Sequence, residues 1–276
     1  MLMSDYKIGQ RFKALFIGKP KTSKTVQAAS WVFDPLCTPQ KRVLLIDLDG
    51  RAAPIVNFYP NKLDLIERKY YSSKPVDFEK LKTDIENLQE NCPYSTVIFD
   101  GLTMLGENLI NYMISLRGGQ QNPEDKIKGK KRGVLELAGV EDFGGEARGM
   151  AQILNIVDIL PCNFIMTAHF IVVENTNVMT GKTTTTKQLM TAGKKVAARI
   201  PIGFDEIYFF EKRGGFVASE PPRFKVITQG DEEMFAGTVL PLEREMDVTM
   251  NSNDSKDKCL YAQIQKAMRN AQATKL

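Results

Sequence analysis

Three scarcities bound what this chain can do. It has one histidine, His169, among 276 residues. A multi-histidine metal site is therefore excluded, and any imidazole chemistry rests on that one side chain. Its four cysteines, Cys37, Cys92, Cys162 and Cys259, stand far apart and form no C-x-x-C pair. That spacing argues against a zinc site and a disulfide framework, and predicts reduced thiols in a cytosol. No apolar run approaches the length of a membrane span. The segment MLMSDYKIGQRFK lacks the apolar stretch of a signal peptide. The expected location is cytoplasmic, with no membrane partner. Neither sign of charge dominates, with 37 basic against 33 acidic residues and a net charge of +4. The placement of charge therefore matters more than its total.

What is present alternates. FKALFIG (12–18), RVLLID (42–47), TVIFD (96–100) and NFIMTAH (163–169) read as short buried strands. KTVQAASWVF (24–33) reads as a helix, as do residues 102–116 and about 146–160. VDFEKLKTDIENLQEN sets Phe78, Leu81, Ile85 and Leu88 on one helical face. DEIYFF (205–210) and RFKVIT (223–228) are later strand candidates. Strands alternating with helices imply parallel pairing and crossover helices. In such sheets ligands bind beyond the carboxyl ends of the strands.

The chemistry-bearing residues all fall at such ends. FIGKPKTSKTVQ nearly matches the phosphate-binding pattern G-x-x-x-x-G-K-[ST]. Gly18, Lys24 and Thr25 keep the spacing, and Ser23 replaces the second glycine. In a working loop, residues Gly18, Lys19, Pro20, Lys21, Thr22, Ser23, Lys24 and Thr25 would surround the phosphates. Lys24 would reach them with its charge, and the Thr25 hydroxyl would ligate Mg²⁺. Asp100 closes TVIFD, where an acid can hold the Mg²⁺ shell or simply cap the following helix. Asp47 and Asp49 end the LLIDLD strand. Asp49 lies further out and is the better candidate base for an attacking water. His169 closes NFIMTAH, where it would face a terminal phosphate.

GKPKTSKT, IDLDGRA, VIFDGLTML and FIMTAHF, in this order, resemble the RecA-like P-loop NTPase core. The chain is most similar to small phage-encoded RecA-like ATPases of the Sak type, implicated in recombination and single-strand annealing. GKKVAARIPIGFDEIYFF (193–210) is similar to that group as well. The resemblance spans about residues 10–230. It implies an α/β fold with a mainly parallel central sheet flanked by helices. It also implies ATP and Mg²⁺ as ligands, with Lys24 and Thr25 on phosphate and metal and Asp100 as the second acidic motif. Asp49 would stand where the family places a catalytic glutamate, one methylene or about 1.5 Å shorter. His169 would be the γ-phosphate sensor. ParA/MinD-type partition ATPases are the competing resemblance, through Lys19 and KRVLLIDLD. Their loop, however, has glycines where Pro20 and Lys21 stand here.

Two basic segments follow strand-end motifs. KIKGKKR carries Lys126, Lys128, Lys130, Lys131 and Arg132, and residues 176–199 hold Lys182, Lys187, Lys194, Lys195 and Arg199 with no acid. In the family these two places contact single-stranded DNA. Lysines and hydroxyls suit phosphate contacts, and the lack of stacking aromatics predicts binding indifferent to sequence. Lys194, Lys195 and Arg199 are also candidates for a residue reaching a neighbour's γ-phosphate in a homo-oligomer. A single-strand DNA-binding protein is a further candidate partner. The expected organisation is an ATPase domain over residues 1–245, then a polar linker and a short amphipathic helix over 246–276. Leu260, Ile264 and Met268 of that helix are expected to pack back on the domain.

Overall fold

The alternation read in the sequence folds into a mixed α/β architecture. The computed structural model of the chain describes residues 11–118, 138, 140–176, 181, 183–191, 193–214, 221–231 and 234–273. Strands β1 (Lys13–Gly18), β2 (Val43–Asp47), β4 (Thr96–Asp100) and β5 (Asn163–Ala168) form where apolar runs were read. They are almost wholly buried, as strands covered on both faces must be. β3 (Ile66–Tyr70), β8 (Glu206–Arg213), β9 (Arg223–Ile227) and β10 (Glu245–Asp247) complete an eight-stranded sheet ordered β10-β9-β8-β1-β5-β4-β2-β3. The six strands from β8 to β3 in that order are mutually parallel. β9 and β10 add antiparallel at the other edge.

Alternate side chains feed two cores. Helices α3 (Pro75–Glu90), α4 (Leu102–Gly118) and α5 (Val140–Ile159) pack on one face of the sheet, against Leu15, Ile17, Leu44 and Phe99. Phe78, Leu81, Ile85 and Leu88 form the buried stripe of α3, as their spacing predicts. On the opposite face α1 (Lys24–Ala29) and α2 (Pro54–Phe58) pack against Phe16, Leu45 and Ile98. Leu260 and Ile264 of the C-terminal helix α8 (Leu260–Ala273) join this second core. Gln27 fixes the arrangement: its amide donates to the Val248 carbonyl at 2.9 Å and accepts from Leu260 N–H at 2.8 Å.

Several expectations about segments need correction. The stretch read as a polar linker over 246–258 is not one throughout. Met246 and Val248 are buried, β10 extends the sheet, and α7 (Ser255–Lys258) follows. Two apolar side chains in a polar surround suffice to dock an edge strand. Helix α1 ends at Ala29, and residues Ser30–Phe33 tighten into a 3-10 turn. Helix α5 begins at Val140, earlier than the pattern indicated. The basic segment after His169 carries regular structure that its composition does not announce. It holds a hairpin of β6 (Phe170–Thr176) and β7 (Thr183–Leu189), then a short helix α6 (Lys194–Ala197). The threonine run favours strand because its β-branched side chains suit a pleated surface. Among the described residues no helix is long and apolar enough to cross a membrane.

Candidate functional site

The parallel strands β1, β2, β4 and β5 deliver their carboxyl ends to one side of the sheet, so Gly18, Asp47, Asp100 and Ala168 end in register with neighbours. The segments that follow these ends line one cavity of about 720 Å³. Lys24, Thr25, Asp49, Asp100, Thr167 and His169 all contribute to it, with loop residues 20–23.

The loop after β1 is bent tightly. A side chain at position 18 would meet the Phe210 carbonyl at 2.6 Å and the Thr22 hydroxyl at 2.7 Å, so only glycine fits there. Lys21 and Ser23 both adopt positive φ, 63° and 69°. For residues with a Cβ this left-handed conformation costs about 1–2 kcal/mol. Among the described residues the buried Ser23 hydroxyl oxygen also has no hydrogen-bond partner. The backbone therefore follows a path suited to glycine with serine in its place, and serine carries the strain.

Lys24 opens α1 and is only 6% exposed. Its ammonium donates to the Gly18 carbonyl at 2.9 Å and the Lys19 carbonyl at 3.0 Å. Burial pulls its pKa down to about 8, against the raising influence of Asp100 and Asp49. The next residue, Thr25, donates its hydroxyl to Asp100 at 2.9 Å. Thr167 donates to the same carboxylate at 2.7 Å, while accepting from Gly101 N–H at 3.1 Å. Burial pushes the Asp100 acid up to about 6, with the two hydroxyl bonds opposing and Asp49 and Asp47 adding to the rise.

His169 Nδ1 lies 3.4 Å from the Lys24 ammonium and closer to the Gly18 carbonyl. A carbonyl can only accept, so the 3.0 Å contact with Gly18 assigns the ring hydrogen to Nδ1. Nε2 is thereby left as the acceptor, 3.9 Å from the Asp49 carboxylate. Burial, then the Lys24 charge, hold the imidazole pKa below its ordinary value. Burial raises the Asp49 acid, opposed by Arg51 and Lys24. Asp47 is differently employed. It is fully buried, accepts from Gly50 N–H at 2.7 Å, and pairs with Arg68 at 2.7 Å. Its oxygens are committed to holding the turn, which leaves Asp49 as the acid presented to the cavity.

Six further residues contribute without a signal in the local sequence pattern. Thr167 positions Asp100, and Arg51 lines the cavity beside Asp49. Phe58, Phe224, Val248 and Met250 give the same cavity an apolar wall. These four come from α2, β9 and the segment after β10, so no local pattern announces them.

The basic residues are only partly within reach. Lys126, Lys128, Lys130, Lys131, Arg132 and Lys182 lie outside the described residues. Lys187 lies on β7 with its ammonium 5.9 Å from the Phe170 ring centroid. Lys194 and Lys195 open α6. Arg199 is exposed and does not line the cavity. Lys19 is likewise exposed, at the mouth of the loop. No protein-family profile matches the chain, and no curated protein does.

Proposed function

We propose that this protein is a RecA-like P-loop ATPase that binds Mg-ATP in the 720 Å³ cavity and acts on single-stranded DNA, as phage recombination and annealing proteins of the Sak type do. One observation carries the nucleotide reading: a buried lysine, a hydroxyl–carboxylate pair, a second acid and a histidine, from four adjacent parallel strand ends, converge on one cavity. Such convergence at sheet carboxyl ends is where α/β proteins bind nucleotides.

The ammonium of Lys24 would exchange two loop carbonyls for phosphate oxygens, recovering the cost of its burial through the anion's charge. Thr25 and Asp100 are the residues that would hold Mg²⁺. Their hard oxygen donors suit that ion, and a cation beside Asp100 would favour the carboxylate that burial disfavours. When bound, the ion would neutralise charge on the phosphate oxygens. Asp49, its basicity raised by burial, would take the proton of the water that attacks the γ-phosphorus as the bond to ADP breaks. His169, with Nδ1–H already committed to the Gly18 carbonyl, would meet the γ-phosphate by taking up a proton on Nε2 and donating it to a phosphate oxygen, the anion's charge favouring the imidazolium. Phe58, Phe224 and Met250 would accept the base against their apolar surfaces.

The β6–β7 hairpin supports the DNA part of the reading. It starts at the residue after His169 and returns to it, where Met190 N–H donates to the His169 carbonyl at 2.8 Å. Its second strand carries threonines and Lys187, groups suited to phosphate contacts. A ligand that shifts His169 would shift the hairpin base.

The first test is Mg-ATP thermal stabilisation of the wild-type chain and of Lys24→Ala, with ATPase rates in the presence and absence of poly-dT. Loss of the ATP shift in Lys24→Ala, with poly-dT stimulation in wild type, is expected. Equal ATP shifts in both proteins would overturn the nucleotide site, and duplex-only stimulation would overturn the single-strand reading. For the basic segment 126–132, anisotropy of a labelled oligonucleotide over a salt series compares wild type with the Lys128, Lys130 and Lys131 triple alanine variant. The log–log slope is expected to become shallower by up to roughly 2 units.

A further inference from the structure

At the end of the sheet opposite the cavity, two thiols that are 70 residues apart in sequence meet. The Cys92 and Cys162 sulfurs lie 3.5 Å from one another. Cys162 immediately precedes β5, and Cys92 lies in the turn that leads into β4. The backbone there is pinned, with Asn163 N–H donating to the Ser95 carbonyl at 3.1 Å. This strand pairing holds the two cysteines together as a fixed part of the fold.

The pair is asymmetric. Cys162 is buried, 5% exposed, while Cys92 is half-buried and reachable from solvent. The hydrogen bond with Cys162 lowers the Cys92 thiol to about 7 against the opposing effect of burial, with further help from the Tyr94 backbone and the Lys41 charge. Cys162 is driven the other way, by that same bond and by burial. One sulfur is thus reachable from solvent and inclined towards the thiolate, and its neighbour is shielded and in contact with it. Attacking and resolving cysteines of exchange sites divide the work in this manner.

We propose that Cys92 and Cys162 form a thiol–disulfide exchange site that takes oxidising equivalents from low-molecular-weight disulfides and closes into a reversible internal disulfide. The Cys92 thiolate attacks one sulfur of the small disulfide, forming a mixed disulfide and releasing one small thiolate. Cys162 loses its proton to solvent and attacks the Cys92 sulfur, releasing the second small thiolate. The protein is oxidised by two electrons and the small disulfide is reduced by two. Because the bridge joins the amino ends of β4 and β5, it locks together the two strands that carry Asp100 and Thr167 at their other ends. The inference is independent of the nucleotide reading, and its test uses no nucleotide.

The full chain, folded and reduced, is incubated with oxidised glutathione and then alkylated, and the thiols are mapped by mass spectrometry. The expected result is joint protection of Cys92 and Cys162, a linked peptide containing both, and full reversal by dithiothreitol. Cys162→Ser should hold one glutathione on Cys92, whereas Cys92→Ser should leave Cys162 unmodified. The oxidised wild type should also unfold at a higher temperature, by roughly 5 °C or more for a loop of this length. Cys92 remaining fully alkylatable in the wild type would overturn the proposal, as would its linkage to Cys37 or Cys259 instead. Should Cys162→Ser fail to fold, the wild-type linked peptide and the Cys92→Ser variant still decide the matter.

Discussion

The Thr25 hydroxyl lies 2.9 Å and 3.0 Å from the two carboxylate oxygens of Asp100, joining the start of α1 to the tip of β4. Thr167 closes on the same acid from β5. Three elements therefore meet at one buried carboxyl group whose pKa burial has pushed up to about 6. An acid raised on folding binds its proton more tightly in the native state than in the unfolded one. Between about pH 4 and pH 6 the native protein holds more protons, so stability from this group falls as pH rises. Asp100→Asn should remove that decline, worth up to roughly 3 kcal/mol across the window. Urea unfolding of wild type and variant without nucleotide, from pH 4 to pH 7, measures it. Parallel profiles would place the proton elsewhere.

The affinity for Mg-ATP should have a bell-shaped pH dependence. Its acid limb lies near 6, where Asp100 must give up its proton to meet the cation. Its alkaline limb lies near 8, where buried Lys24 loses the charge that meets the phosphates. Burial depresses Lys24 first of all, and an unbound lysine at the surface would show no such limb. Lys24→Arg keeps its charge throughout and should lose the alkaline limb, even if it binds more weakly. Calorimetric titration from pH 5 to pH 9 tests both variants. An affinity unchanged between pH 7 and pH 9 in wild type would remove Lys24 from the phosphates.

Replacing Ser23 should stabilise the protein. Its φ of 69° penalises a Cβ, and its buried hydroxyl oxygen has no partner among the described residues. Ser23→Gly relieves both, at the cost of a more flexible unfolded chain. A net gain of about 1 kcal/mol is expected, or roughly 2–4 °C in melting temperature. Ser23→Ala keeps the backbone penalty and should gain less. A glycine variant that melts lower than wild type would show that serine makes a contact worth more than the strain it bears.

The sequence made the parallel sheet legible because β1, β2, β4 and β5 are buried on both faces and read as unbroken apolar runs. It made the strand-end residues legible because in a parallel sheet every carboxyl end lies on one side. What escaped depends on partners distant in the chain. β3 is IERKY, an edge strand with alternating exposure, and its charges hide it. β10 is three residues long and is held by pairing with β9. Position in LLIDLD favours Asp49 over Asp47, but what commits Asp47 is not local: Arg68 arrives from β3 to pair with it. The Cys92–Cys162 contact likewise needs the register of β4 against β5, which no local pattern carries.

Asp49 is the residue on which hydrolysis should turn. It reaches the cavity at 3.9 Å from His169 Nε2, and the chain leaves it room only because position 101 is glycine. At φ 118°, a Cβ on residue 101 would lie 2.5 Å from the Asp49 carboxylate oxygen. Asp49→Asn preserves shape and polarity and removes the basicity that burial has raised. It should bind Mg-ATP within a few-fold of wild type while its turnover number falls by roughly 10² or more, since a base acts in the chemical step and not in ground-state binding. Asp47→Asn should behave differently. Its loss of the Arg68 pair falls on stability, discounted because Arg68 is half exposed, and its kcat per folded molecule should be less affected. The measurement is steady-state hydrolysis with saturating poly-dT, paired with equilibrium ATP binding and urea unfolding of each variant. If Asp49→Asn turns over at the wild-type rate, the proton leaves by another route. If Asp47→Asn alone abolishes turnover while remaining folded, the two acids exchange the roles their surroundings assign them.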